Sequence, residues 1–120
     1  MPNAPQSNCV HSIPRAERIA RLNDILRKTG TSGQIVITRG VHDLAKFNAA
    51  ELLAALGACN DFDPTNDPHG ERDFGGVDLW GAEILWKIDY YDAELRFGSG
   101  DPADASMTQR VLTVLLAEEY

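Results

Sequence analysis

From Pro14 onward apolar residues recur at helical spacing, with Ile19, Leu22, Ile25 and Leu26 on one face and the arginines mostly on the other. Thr29-Gly30 closes this helix, glycine being a natural residue just past a helix C-terminus. Gln34-Ile-Val-Ile-Thr38 is β-branched and set between Gly33 and Gly40, which predicts a short strand. A second helix is predicted where Asn48 precedes Glu51 at capping-box spacing and Leu52, Leu53 and Leu56 follow, with its end between Gly57 and Asn60. Beyond an acidic stretch, residues 61–73, a hairpin is predicted with its turn at Gly81-Ala82, glycine taking the first central position of a type II′ turn. That register sets Leu79 opposite Ile84, Val77 opposite Trp86 and Gly75 opposite Ile88 on one apolar face, and leaves Asp78, Lys87, Asp89 and Tyr91 on the other. Asp104 or Ser106 then caps a last helix carrying Val111, Leu112, Leu115 and Leu116. The order α-β-α-β-β-α describes an α+β domain, a small three-stranded sheet with an antiparallel hairpin and helices packed on one face. Residues 1–13, polar and proline-containing, are expected to form a disordered tail ahead of a single globular domain over residues 14–120.

Bulk properties narrow the class. A chain of 120 residues, 43% apolar and 24% charged, has the size and balance of one folded domain. It contains no apolar run near the roughly 20 residues of a membrane span, and Met1 to Pro14 lacks the apolar core of a secretory signal. Cys9 and Cys59 form no C-x-x-C pair, so a reduced, cytoplasmic location is expected. Cys9 with His11 supplies two metal ligands where a structural site takes four.

Charge divides the chain. Residues 1–50 hold seven basic and three acidic side chains, whereas residues 51–120 hold four basic and fifteen acidic ones, within a net charge of −7. The acidic half repels a nucleic-acid backbone, so direct nucleic-acid binding is not expected. Such a surface suits the basic groove of a nucleic-acid-handling protein, or serves solubility alone. The basic first helix and the acidic second half can also pair, within one domain or between two copies as a homodimer.

Several stretches carry a resemblance: Arg18-Ile-Ala-Arg-Leu-Asn-Asp24 with Thr38-Arg39-Gly40, Asn66-Asp-Pro through Asp73-Phe-Gly75, Trp86-Lys-Ile-Asp-Tyr-Tyr-Asp92, Asp101-Pro-Ala-Asp104 and Arg110-Val-Leu-Thr113. Together, over roughly residues 15–120, they resemble the bacterial domain-of-unknown-function family 3768, common in alphaproteobacteria. The resemblance implies no activity, cofactor or catalytic residue. Members of that family often sit on plasmids and other mobile elements, which implies an accessory, regulatory or anti-defence role.

The chemistry is weighed mainly in the acidic loop and the hairpin. Asp61, Asp63, Asp67, Glu71 and Asp73 invite a calcium or magnesium reading, since hard cations take several oxygen ligands. An EF-hand alignment from Asp61 fails, because Asn66 falls where the turn glycine belongs and Arg72 where the bidentate acid belongs. A looser set of Asp67, Glu71 and Asp73 with His69 nearby remains, and carries the alternative reading of a small metal-assisted hydrolase. The competing reading is a turn-rich loop whose Asp and Asn side chains bond their own backbone, with Asp63-Pro64 and Asp67-Pro68 as turn starts. A metal-dependent nuclease would need an acid two positions before Lys87, where Leu85 stands. Lys87 is expected to pair with Asp78 diagonally across the hairpin. Ser99 and Ser106 have no histidine partner and G-x-S-x-G is absent; Gly30-Thr-Ser-Gly33 opens a strand and is no phosphate loop. Trp86 is expected in the core, and Trp80 beside the turn as a contact residue. The expectation from sequence is therefore a non-enzymatic, acidic interaction protein with a protein partner, no membrane association and no cofactor or metal. Its contact surface would be Asp67, His69, Glu71, Asp73, Asp78, Trp80, Lys87, Asp89 and Tyr91, and it would act as an inhibitor, a DNA mimic in its sharper form.

Overall fold

The computed structural model describes residues 13–120. The expected tail, with Cys9 and His11, lies outside the described residues apart from Ile13.

Helix α1, Arg15–Thr29, carries Glu17 in its first turn and Arg27 and Lys28 in its last, each charge matching the helix dipole. Gly30 ends it in the left-handed conformation, its N–H bonded to the Leu26 carbonyl. The buried stripe is Ile19, Ala20, Asn23, Leu26 and Arg27. Two expectations change here: Ile25 is 43% exposed, and Arg27 lies inside. The Arg27 guanidinium is enclosed between the rings of Phe62 and Trp86, at 5.2 and 5.3 Å, while bonding Asp24 and the Leu56 carbonyl.

Strand β1 (Gln34–Ile37) leads into a one-turn helix α2 (Arg39–His42), which the sequence pattern did not predict. Helix α3 (Ala49–Gly57) follows, and the Asn48 side chain accepts the Glu51 N–H as a cap, as predicted. Strands β2 (Phe74–Leu79) and β3 (Ala82–Tyr91) form the hairpin, but its turn is Trp80-Gly81. Both residues have positive φ, 55° and 76°, which makes it a type I′ turn and explains the glycine at its second position. Val77 therefore faces Ile84 and Gly75 faces Trp86, two residues out of the predicted register. A slip of two preserves the face of every side chain, so the predicted core set survives the error.

The larger correction is the last element. Asp104 caps only a short 3-10 turn, Ala105–Met107, and residues Gln109–Leu116 form strand β4 where a helix was predicted. The sheet has four strands in the order β1-β4-β3-β2, with β1 parallel to β4 and the other pairs antiparallel. This central strand is buried on its core face and half-buried on the other, yet Val111 to Leu116 is a nearly unbroken apolar run, which periodicity alone does not separate from a helix. The fold is α+β, as predicted, with a mixed four-stranded sheet in place of a three-stranded one.

The core lies between one sheet face and the helices. Leu26, Val41, Leu52 and Leu56 from α1, α2 and α3 meet Ile84, Trp86, Ile88, Leu112 and Val114. Gly75 passes directly beneath the Trp86 indole, and a Cβ there would lie 2.8 Å from the ring. A terminal 3-10 turn, Ala117–Glu119, is fastened by the Glu119 carboxylate, which accepts from the Thr38 hydroxyl and the Leu116 N–H, both at 2.7 Å.

Because Trp86 is fully buried, Trp86→Ala is expected to cost about 3–5 kcal/mol, enough to unfold much of a domain with total stability of roughly 5–15 kcal/mol. Gly75→Ala should cost about 1–3 kcal/mol by overpacking the same ring. The double variant Asp89→Ala with Tyr91→Ala, on the opposite face, should stay within about 1 kcal/mol of the parent. Urea unfolding of the three proteins tests the assignment of faces.

Candidate partner-binding site

Helix α1 presents Glu17, Asn23 and Asp24 toward the acidic loop, and Arg72 of that loop reaches back to them. Its Nη1 and Nη2 donate to the two Glu17 oxygens, each at 3.1 Å. Its Nε and Nη2 also donate to Asp24, the shortest bond being 2.9 Å. Two carboxylates gripping one planar guanidinium give directional, charge-assisted bonds that a lysine would not reproduce. Arg72 holds a left-handed backbone, φ 51°, and its N–H points at both Asp67 oxygens, 3.1 and 3.2 Å away. The guanidinium bonded to it holds the Glu17 carboxyl below its ordinary range, against partial desolvation. Bonds to Glu17 and then Asp24 push the Arg72 guanidinium further up.

A second network lies deeper. The fully buried Asn23 amide donates to the Glu71 carbonyl (3.0 Å) and the Tyr90 hydroxyl (2.8 Å), and its oxygen accepts from Arg110 Nε (2.8 Å). Tyr90 in turn donates to the Glu71 carboxylate at 2.8 Å. Burial pushes the Tyr90 phenol well up, with the Asn23 bond opposing and Glu71 adding to the shift. Asp73 is also pushed up, by burial first and by the neighbouring Glu71 charge second. Further out, Asp63 and Asn66 close a turn on themselves, with Asp63 accepting the N–H groups of Thr65 and Asn66 and Asn66 bonding the Asp61 carbonyl. This is the backbone-bonded loop that the Asp-Pro steps suggested.

The nine predicted contact residues therefore do not form one surface. Asp67, Glu71 and Asp73 stand on the helix side of the sheet, where Asp67 and Glu71 hold the loop together. His69 is exposed beside them, along a shallow cleft of about 450 Å³ that also includes Phe62, Pro64 and Arg72. Lys87, Asp89 and Tyr91 lie on the helix-free sheet face. There Lys87 pairs with Asp89 at 2.7 Å, two residues along its own strand, in place of the expected Asp78. That bond raises the Lys87 ammonium. Asp78 and Trp80 sit at the hairpin tip. Trp80 is half-buried, packs edge-on against Phe47 at 5.9 Å and donates its indole N–H to Glu51 at 2.8 Å, so it acts as a brace more than as a free contact residue.

Among the described residues, the titratable side chains that act on Asp73 are Glu71, Asp67 and His69. No three His, Cys, Asp or Glu side chains among the described residues converge on a metal position, and the Ser99 hydroxyl meets Thr108 with no histidine involved. The residues missed from sequence are Glu17, Asn23, Asp24, Arg72, Tyr90 and Arg110. Asn23 carried a legible signal, a polar residue set four positions from Ile19 and three from Leu26 on the apolar face of α1.

A family profile described as a protein of unknown function, DUF3768, matches residues 37–119. The chain belongs to this family. The DUF3768 match starts at the end of β1, later than the resemblance anticipated, so it takes in Arg72, Tyr90 and Arg110 while α1, with Glu17, Asn23 and Asp24, precedes it. No curated protein and no solved structure matches the chain. Among the described residues of this DUF3768 member, no helix is long and apolar enough to cross a membrane.

The shifted carboxyls of Glu17 and Asp73 have opposite linkage signs. Glu17 is depressed in the folded state, so its contribution is present above its unfolded value of about 4.3 and disappears as pH falls through the depressed value. Asp73 is raised, so its ionisation opposes folding at neutral pH, and the penalty vanishes below its unfolded value of about 3.9. Glu17→Gln should accordingly lower Tm at neutral pH with a gap that closes in acid. Asp73→Asn should raise Tm at neutral pH with a gain that also vanishes in acid. Melting curves across pH check both signs.

Proposed function

We propose that the chain is a non-enzymatic, acidic interaction protein that occludes or regulates a protein partner, and that the partner presents a basic, nucleic-acid-binding surface. An accessory or anti-defence role on a mobile element is the setting this reading favours. The observation that carries it is at the hairpin tip, where Asp78 and Glu83 stand directly opposite each other on β2 and β3. Both are exposed, and no lysine or arginine among the described residues lies within 4.0 Å of either. Like charges directly across a strand pair destabilise it, so this arrangement works against the fold and is relieved by an incoming cation.

The rest of the acidic half has little internal neutralisation to offer. Arg72 is committed to α1, Lys87 to Asp89, and Arg110 is buried. Arg96 lies 3.9 Å from Glu94, both largely exposed. The tip itself is stiff, because its turn is held by the Trp80–Glu51 bond. A pre-ordered anionic edge loses less entropy on association than a flexible one, and its field speeds encounter with a basic partner.

The double variant Asp78→Asn with Glu83→Gln should melt higher, by the equivalent of about 0.2–1 kcal/mol, because the repulsion is gone. It should also lose partner binding. Parent and variant are immobilised in parallel and exposed to native lysate, and the retained proteins are identified by mass spectrometry at low and high salt. Basic nucleic-acid-binding proteins held by the parent alone, and released by salt, support the reading; identical retained sets on both proteins overturn it.

A further inference from the structure

The two internal arginines of the acidic half are treated very differently. Arg72 is gripped by two carboxylates. Arg110 is more deeply buried, at 2% exposure, yet among the described residues no carboxylate lies within 4.0 Å of it. Its Nε donates to the Asn23 amide oxygen, its Nη2 to the Pro102 carbonyl, and its Cζ lies 5.2 Å from the Tyr90 ring centroid. All three partners are uncharged. The nearest negative group in its network, Glu71, stands behind the Tyr90 hydroxyl. A buried cation without a paired anion is costly, and the desolvation is felt as a downward push on the guanidinium.

Arg110 also lines a cleft of about 390 Å³, together with Leu22, Ser32, Ala105 and Thr108. That volume falls within the roughly 300–1,000 Å³ of small-molecule sites. One turn before Leu22 on α1 stands Arg18, which likewise has no carboxylate within 4.0 Å among the described residues. The acids that adjoin this wall in sequence, Asp101 and Asp104, are bonded to Arg15 and Ser106, and Arg110 is the charged residue among those that line the cleft. The Thr108 hydroxyl is tied to the Asp101 carbonyl and to Ser99, which fixes that wall.

We propose that this cleft binds a small oxyanion-bearing molecule, with Arg110 as the buried counter-charge and Ser32 completing its recognition. The shared chemistry is the oxyanion, supplied by a phosphoryl or a carboxylate group. The site is independent of the hairpin tip and lies on a different part of the molecule.

The test keeps Arg110 in place, since its removal would disturb the Asn23 network. Ala105 is exposed, lines the cleft and sits in the short 3-10 turn, so Ala105→Glu and Ala105→Lys change the cleft's charge without touching the core. Inorganic phosphate and succinate are titrated separately against the full chain at constant ionic strength, with chloride as the compensating salt. Melting temperature is the readout, because a ligand that binds the folded state alone raises it by mass action. A saturable rise is expected for the parent with at least one anion, and the anion that produces it assigns the phosphoryl or carboxylate source. Ala105→Glu should weaken the apparent affinity at least tenfold, and Ala105→Lys should strengthen it. The absence of a saturable rise with either anion, or equal affinities in the two Ala105 variants, would overturn the proposal.

Discussion

One buried carboxamide ties helix α1 to three segments that no backbone ladder joins to it. Asn23 lies on α1, and its three hydrogen bonds reach the loop before β2, the end of β3 and the start of β4. Both amide hydrogens and the oxygen are engaged, which is what makes a polar side chain tolerable at zero exposure. Replacing the group with leucine would fill similar space yet leave a phenol, a carbonyl and a guanidinium each short of a partner. Desolvated groups left unpaired cost about 1–3 kcal/mol apiece, more for a charged one. The apolar core places the helices on the sheet, but it is this amide, with the Arg72 clamp one turn away, that fixes where the long loop lies on them.

The charge division seen in the sequence has a structural outcome opposite to its simplest reading. A basic first helix and an acidic second half suggest arginines of α1 seizing acids of the loop. Arg15 with Asp101 does follow that pattern, on the surface. The inner contact reverses it, with the acids of α1, Glu17 and Asp24, holding the lone arginine of the acidic loop. Burial decides the matter. Exposed pairs contribute little in high dielectric, whereas a partly desolvated, bidentate arginine has both direction and strength. Asp61 and Asp63 remain exposed, Asp67 turns inward onto the Arg72 N–H, and the loop's single arginine anchors it.

Legibility followed the same physical divide. Helix α1, helix α3 with its Asn48 cap and the hairpin's two faces were legible because each depends on local periodicity or a local cap. The turn was misplaced by one residue because Gly81 satisfies either turn type, and Trp80 in a left-handed conformation is not a residue that sequence favours there. Strand β4 was misread because its apolar residues run almost unbroken from Val111 to Leu116, on the half-buried sheet face as well as on the core face, and its pairing with β1 and β3 is set by distant parts of the chain. The candidate site was legible in composition but not in arrangement. The local bond of Asp67 to the loop backbone was legible as a turn, whereas only a tertiary contact reveals that the Tyr90 phenol occupies Glu71. Arg110 gave no sequence signal at all, since an arginine at the start of an apolar run is ordinarily a solvated flank.

The position of β4 bears on how the chain is made. It lies between β1 and β3, yet it is the last strand in chain order, and it also delivers Arg110 to Asn23. As synthesis proceeds from the N-terminus, β1 emerges with no neighbour to pair with, and the β2–β3 hairpin waits with one long edge unpaired. Non-local pairing of this kind is slow to form and leaves strand edges open to unwanted association. Until β4 is in place, β1 and the outer edge of β3 both lack the strand they pair with.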